Sequence, residues 1–194
     1  MVALVLCGGQ STRMGTDKGL LQPNAKTWAA TAADILTEQN LPVQFSVNKN
    51  QLDYYKQFFS ATNLIVDDET LAVHGPLLGL LSVHLRYPNK SILALACDMP
   101  LMESSLIKEL MTASQQYENF DAWLYKNNNQ PEPLCAIYSA QALAAILQLV
   151  KAGKLYKYSM KFMLEQINPF YIPIQEAQEK CFRNFNSHAE LNGL

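Results

Sequence analysis

Val2 to Leu6 (VALVL) is an apolar run rich in β-branched residues, and Gly8 and Gly9 cut it off sharply. A short run with no polar alternation predicts a strand buried on both faces, near the centre of an α/β sheet. Gly8, Gly9 and Gly15 punctuate the stretch that follows. Glycine lets a loop take positive φ and lets backbone N–H groups come close to a ligand, as a polyphosphate cradle requires. Arg13 and Lys18 supply the positive charge for such a cradle. The other reading of the stretch is a glycine-rich surface turn with two incidental cations.

At 194 residues the chain predicts one domain, 1–194, able to bury roughly 70% of its unfolded surface. A net charge of −2 gives no electrostatic reason to expect nucleic acid as a partner. Cys7, Cys97, Cys135 and Cys181 are far apart with no C-x-x-C pair, which predicts buried thiols in a reducing compartment. His74, His84 and His188 show no ligand spacing. No apolar stretch reaches the ~18 residues of a membrane span and no secretory leader is legible, so a cytoplasmic protein is expected.

Strand and helix patterns alternate along the chain. Thr27 to Gln39 reads as a helix, broken by Pro42, and Val43 to Asn48 as a strand. Asn50 could cap a helix carrying Leu52, Tyr55, Phe58 and Phe59; Tyr54 and Tyr55 suggest no function. Asn63 to Val66 reads as a strand ending in Asp67-Asp68, and Gly75-Pro76 opens a leucine-rich helix. Ser91 to Cys97 is the most continuous apolar strand, followed by a helix to about Tyr117 that Ser104 or Ser105 could cap. Asp121 to Tyr125 and Leu134 to Tyr138 read as strands separated by a turn over NNNQPEP. Ser139 caps a helix ending at Gly153, Ser159 begins another, and Phe170 to Ile174 is the last strand, before a charged helix or loop. This alternation predicts a three-layer α/β domain, a mostly parallel sheet with helices on both faces.

In such sheets ligands bind beyond the carboxyl ends of the strands, so the polar residues there are the candidates. Besides the glycine loop they are Asn48, Asp68, the stretch Gly75 to Gly79 (GPLLG), which could line a base or ribose, and Asp98. Asn48 and Asp68 would also serve as ordinary turn residues. A carboxylate leaving a buried strand is costly unless paired, and Mg²⁺ held by one carboxylate plus substrate phosphates is a natural partner for Asp98. The competing role for Asp98 is to cap the next helix, for which Ser104 and Ser105 lie better. Lys151, Lys154, Lys157 and Lys161 are spaced to share one helix face, either as solvated surface or to receive an acceptor phosphate or a partner protein.

Neither a Walker A loop nor a G-x-G-x-x-G fingerprint is present. The pattern L-x-G-G-x-x-x-R-M-G-x-D-K, Leu6 to Lys18, resembles the signature loop of nucleotidyltransferases that activate sugars and cofactors, in particular the molybdenum cofactor guanylyltransferases. Similar blocks of that family fall in the same order at Asn48, Asp68 to Gly79, CDMP at Cys97 to Pro100, EPLCAIYS at Glu132 to Ser139 and NFNS at Asn184 to Ser187. Two departures are QPNAKT at Gln22 to Thr27, where the family has Gly-Lys-Pro, and Asn184 to His188, where it has Asn-x-Asn-Thr-Pro.

The resemblance implies a Rossmann-like nucleotidyltransferase fold. It implies that Leu6, Cys7, Gly8, Lys18, Asn48, Asp68 and Asp98 contact the nucleotide, that Asp98 also binds Mg²⁺, and that Asn184 and Asn186 lie near metal and phosphates. Gly9 and Gly75 join the substrate-binding set, and Arg13, Lys18 and Asp98 the catalytic set. The expected reaction transfers GMP from GTP to the phosphate of molybdopterin, releasing pyrophosphate. Alternatives are a related enzyme using CTP or a sugar phosphate, and a nucleotide-binding regulator without turnover. The Gly8-Gly9 pair resembles the guanylyl branch, where the missing Cβ would leave room for a purine.

Overall fold

The computed structural model describes residues 1–8, 17–22 and 25–185 of the chain. Seven strands among these residues form one sheet of order β3-β2-β1-β4-β6-β5-β7. β1 (Val2–Leu6) lies between β2 (Val43–Val47) and β4 (Ile92–Ala96), parallel to both, and β3 (Leu64–Val66) is parallel to β2. β6 (Gln130–Tyr138) runs antiparallel between β4 and β5 (Ala122–Asn127), and β7 (Pro169–Pro173) is parallel to β5. The chain winds outward from β1 through β2 and β3, then crosses back to place β4 on the other side of β1. The strand order therefore reverses between β1 and β4, where open α/β sheets form their ligand crevice.

All of β1 is buried, and alternate residues feed opposite faces because side chains alternate along a strand. Ala3 and Val5 join Leu93 and Leu95 of β4 against α1 (Trp28–Thr37) and α4 (Ser104–Gln116), through Ala29, Leu36, Leu106 and Leu110. Val2, Leu4 and Leu6 join Ile92 and Ala94 against α3 (Pro76–Arg86), α5 (Ala140–Lys151) and α6 (Met160–Leu164), through Leu77, Leu80, Leu143, Ile146 and Met163. Truncating one of these leucines to alanine costs about 2–5 kcal/mol, because the two-sided packing leaves little freedom to collapse.

The helix starts follow local chemistry. Thr27 accepts from Ala30 N–H at 3.1 Å, Ser139 from Ala142 N–H at 3.0 Å and Ser159 from Phe162 N–H at 3.2 Å. Each such cap contributes about 1 kcal/mol. α3 instead starts with Gly75 at φ +68°, where a side chain would be strained, and Pro76 in the first turn.

Several expectations need correction. Neither Ser104 nor Ser105 caps α4: Glu103 occupies the cap position without a side-chain bond, and the Ser104 hydroxyl accepts from Gln39 Nε2 instead. α2 spans only Leu52–Tyr55, and Gln51 rather than Asn50 precedes it. NNNQPEP is mostly strand, because β5 and β6 continue to Asn127 and from Gln130, and only Asn128-Asn129 turn, with Asn128 at φ +52°. The lysine stripe does not share one helix face: α5 ends at Lys151, Gly153 takes φ +65°, and Lys161 lies in α6. Within it Lys161 donates to Gln130, and Lys157 lies 5.7 Å from the Phe162 ring. The charged segment after β7 forms a 3-10 helix over Glu176–Phe182. All four cysteines are buried free thiols, as expected.

Candidate functional site

The carboxyl ends of β1, β2, β3 and β4 lie side by side, with Leu6 opposite both Ser46 and Ala96, and Val47 opposite Val66. This register gathers Cys7, Asn48, Asp67 and Asp98 at one edge of the sheet. Cys7 continues β1, donating its N–H to Ser46 O at 3.1 Å, and Cys97 continues β4, donating to Leu6 O at 3.2 Å. The two thiols touch, and that contact together with burial pushes Cys97 well above the usual thiol range. Both side chains are buried.

Lys18 enters from the far end of the glycine loop on a short 3-10 turn, Lys18–Leu20. Its Nζ lies 3.5 Å from Asp98 Oδ2, and both side chains are largely covered, 27% and 20% exposed. Burial raises the Asp98 carboxyl above its ordinary range, and the Lys18 charge opposes the rise. Asp98 does not cap α4, which begins several residues later at Ser104. The carbonyl of Asp98 accepts from Phe185 N–H at 2.9 Å, which brings the exposed Asn184 beside the same turn. A single carboxylate at this edge could hold a divalent cation whose other ligands are water and phosphate, the set Mg²⁺ favours.

Asn48 turns its oxygen inward on the chain, accepting from Asn50 N–H at 2.9 Å and Gln51 N–H at 3.0 Å. Gln51 Oε1 in return accepts from Asn48 N–H at 2.8 Å, a reciprocal box that fixes the end of β2. Asp68 is half-buried and accepts from the Thr70 hydroxyl at 2.6 Å and the Thr70 N–H at 3.0 Å. Those bonds hold it below the usual carboxylate range. Gly75 lies open at the start of α3, with no heavy atom within 4 Å of where a Cβ would stand. Leu6 is buried as the last residue of β1. Gly9, Arg13 and Asn186 lie outside the described residues.

The structure adds residues that the sequence pattern did not single out. Asp67, beside Asp68, is only 8% exposed, and its Oδ1 accepts from Ser46 Oγ at 2.7 Å. Its Oδ2 sits 2.9 Å from the position a Cβ would take on Gly8. The space freed by glycine at position 8 therefore admits the Asp67 carboxylate; the purine explanation for that glycine does not describe this contact. Burial pushes Asp67 up to about 6 against the Ser46 bond. Strand alternation carried past Val66 marks the residue, since Asp67 shares parity with buried Ile65. Asp17 counts in the sequence only as part of the loop pattern, yet it accepts from Gly19 N–H at 2.9 Å, Tyr55 Oη at 3.0 Å and Gln51 Nε2 at 2.5 Å. Tyr55, which its sequence position ties to no function, is fully buried. The signal for Gln51 was the Asn48-x-x-Gln51 spacing of a reciprocal cap.

Known proteins resemble the chain along its whole length. A probable molybdenum cofactor guanylyltransferase of Methanocaldococcus jannaschii is 26% identical over 98% of this chain and 96% of its own. Another, from a Geobacillus strain, is 29% identical over 100% and 97%. The crystal structure of molybdopterin-guanine dinucleotide biosynthesis protein A from Archaeoglobus fulgidus superimposes with a TM-score of 0.77 at 21% identity, covering 100% of this chain and 96% of that one, and so shares the fold. The model of the MobA-like NTP transferase domain family matches residues 3–167, from β1 to beyond α6. That match spans most of the chain, and the chain belongs to the MobA-like NTP transferase domain family.

Proposed function

We propose that the chain, acting as one nucleotidyltransferase domain, transfers GMP from GTP to the phosphate of molybdopterin, releasing pyrophosphate and forming a guanine dinucleotide cofactor. The observation that carries the reading is Lys18 facing Asp98 at the reversal point of the sheet. The names of the full-length relatives support this acceptor and this base.

An acceptor phosphate oxygen forms a bond to the α-phosphorus of GTP while the bond from that phosphorus to the β-phosphate bridging oxygen breaks. Nucleophile and leaving group are both phosphate oxyanions, so no general base is required. Catalysis then consists of aligning two anions and stabilising charge in the transition state. Lys18, with Arg13 from the loop, holds the triphosphate, and Asp98 holds Mg²⁺. When bound, that ion neutralises charge on the α-phosphate and on the attacking group. Gly75 and the residues after it serve the nucleoside together with Asn48 and Asp68, and Asn184, beside the Asp98 turn, serves the phosphates together with Asn186. The partners are GTP and molybdopterin, with the lysines between α5 and α6 available to an acceptor or delivery protein. Among the described residues no helix is long and apolar enough to cross a membrane.

Melting in the presence of Mg²⁺ with equal concentrations of GTP, CTP or ATP tests base choice, and GTP should raise Tm most. Pyrophosphate release on adding molybdopterin then tests the reaction. Greater stabilisation by CTP rejects guanine, and GTP binding without pyrophosphate release favours a regulator.

A further inference from the structure

Gln51 has polar atoms committed in three directions. Its Oε1 closes the reciprocal box with Asn48, while its Nε2 donates outward twice, to Cys7 O at 3.0 Å and to Asp17 Oδ2 at 2.5 Å. Cys7 is the residue by which the chain enters the glycine loop from β1, and Asp17 is the residue before Lys18. One buried amide therefore joins the two ends of the loop. The other Asp17 oxygen is held by Tyr55 Oη and Gly19 N–H, so Asp17 is fixed by groups from α2, from the residue before α2 and from the turn after the loop. Tyr55 is itself immobilised among Phe45 and Phe59, whose rings lie 4.1 Å apart.

A glutamine buried only to fill space would satisfy both its donors locally. Here both leave for the loop ends, and both are protons that an isosteric carboxylate lacks. We propose that Gln51 is a positioning residue of the nucleotide site: it fixes the separation between Cys7 and Asp17 and thereby holds Lys18 in place against Asp98. The consequence for substrate rests on the reading of Lys18 as a ligand of the triphosphate; the brace itself does not.

Gln51→Glu separates the roles. It preserves volume and the Oε1 acceptor, and replaces the donor with a second carboxylate facing Asp17. The titratable groups around it are Asp17, the Tyr55 hydroxyl and the Cys7 and Cys97 thiols. Tyr55 and Cys97 are both pushed upward, chiefly by burial for the tyrosine and by the Cys7 contact and burial for the cysteine, and stay protonated near neutrality. At about pH 8 the ionised carboxylate introduced at position 51 repels Asp17, and affinity for Mg·GTP should fall ~10-fold or more relative to wild type. Toward pH 6 the carboxyl introduced at position 51, buried and facing a like charge, takes up a proton, one donor returns, and the ratio to wild type should recover. Gln51→Ala should lose comparable affinity with no such recovery.

Hydrogen exchange, measured without nucleotide, provides the second readout. Lys18 to Leu21 should exchange faster in both variants while Val2 to Leu6 and Ile92 to Ala96 keep their protection. Affinity within ~2-fold of wild type at about pH 8 overturns the proposal, as do identical pH profiles for the two variants, or protection lost equally from β1 and β4. If wild type binds no GTP, the functional reading fails instead. Exchange at Lys18 then still decides whether Gln51 positions it.

Discussion

Phe185 donates its backbone N–H to the carbonyl of Asp98 across 2.9 Å, so the late chain fastens the turn that carries the buried-edge carboxylate. The Phe185 ring is fully buried and the Arg183 guanidinium lies 5.0 Å from its centroid. Phe185→Ala should cost about 3–5 kcal/mol in urea unfolding and reduce turnover as the Asp98 turn loosens. Phe185→Leu should recover most of the stability. Unchanged stability in the alanine variant would mean that the tail is not anchored there.

Asp98→Asn keeps the shape and removes the charge. Turnover should fall by at least ~10²-fold, comparable to the loss of one strong electrostatic contact in a transition state. Stability without metal or nucleotide should hold level or rise, because burial disfavours the ionised carboxyl more than Lys18 favours it. Pyrophosphate release against Mg²⁺ concentration, with melting of the ligand-free protein as control, checks both. Near wild-type rates at low Mg²⁺ would end the metal reading.

Lys18→Ala should weaken GTP binding and slow turnover together, since a point charge acts on phosphates in both ground and transition states. The structure adds an effect on folding, because the variant leaves the largely covered Asp98 without its cation. We expect about 1 kcal/mol lost at pH 8 and less at pH 5, where Asp98 is closer to neutral. A stability loss that grows toward low pH would contradict the pairing.

Asp67 should leave a signature in the pH dependence of stability. Its folded pKa is raised from 3.8 to about 6, so between about pH 4 and 6 the folded state binds a proton that the unfolded state does not. Stability from this group therefore increases as pH falls from about 6 to 4, and above pH 6 the ionised group opposes folding by about 3 kcal/mol. Asp67→Asn retains an acceptor for Ser46, and should raise stability at pH 8 while flattening that slope. Urea titrations at several pH values measure the difference.

The fold was legible because burial on both sides of a parallel sheet writes itself as unbroken apolar runs. VALVL and SILALAC sit within a residue of β1 and β4, and Ser139 and Ser159 stand at the helix starts that their positions indicate. The hairpin at Asn128 was obscured, because polar side chains and prolines over Gln130 to Pro133 read as a turn although the backbone still pairs with β5. At the site, Lys18 and Asp98 could be named because strand ends and a loop pattern mark them. Their distance could not be read, since it depends on Asp17, Gln51 and Tyr55, residues far apart in sequence that meet only in the folded chain. Asp67 and Asp68 differ from this: alternation carried one step past a three-residue strand turns Asp67 inward with Ile65, a signal that the resemblance at Asp68 overshadowed.

The 2.9 Å approach of Asp67 Oδ2 to the missing methyl of Gly8 also bears on how sequences of this kind can diverge. Alanine at position 8 collides with a carboxylate that Ser46 holds in place, so that change alone is disfavoured, yet it becomes neutral once position 67 carries a smaller side chain. The two sites form an epistatic pair, open to exploration in one mutational order and closed in the other. In a double-mutant library, survivors carrying Gly8→Ala should be concentrated among backgrounds that have already lost Asp67.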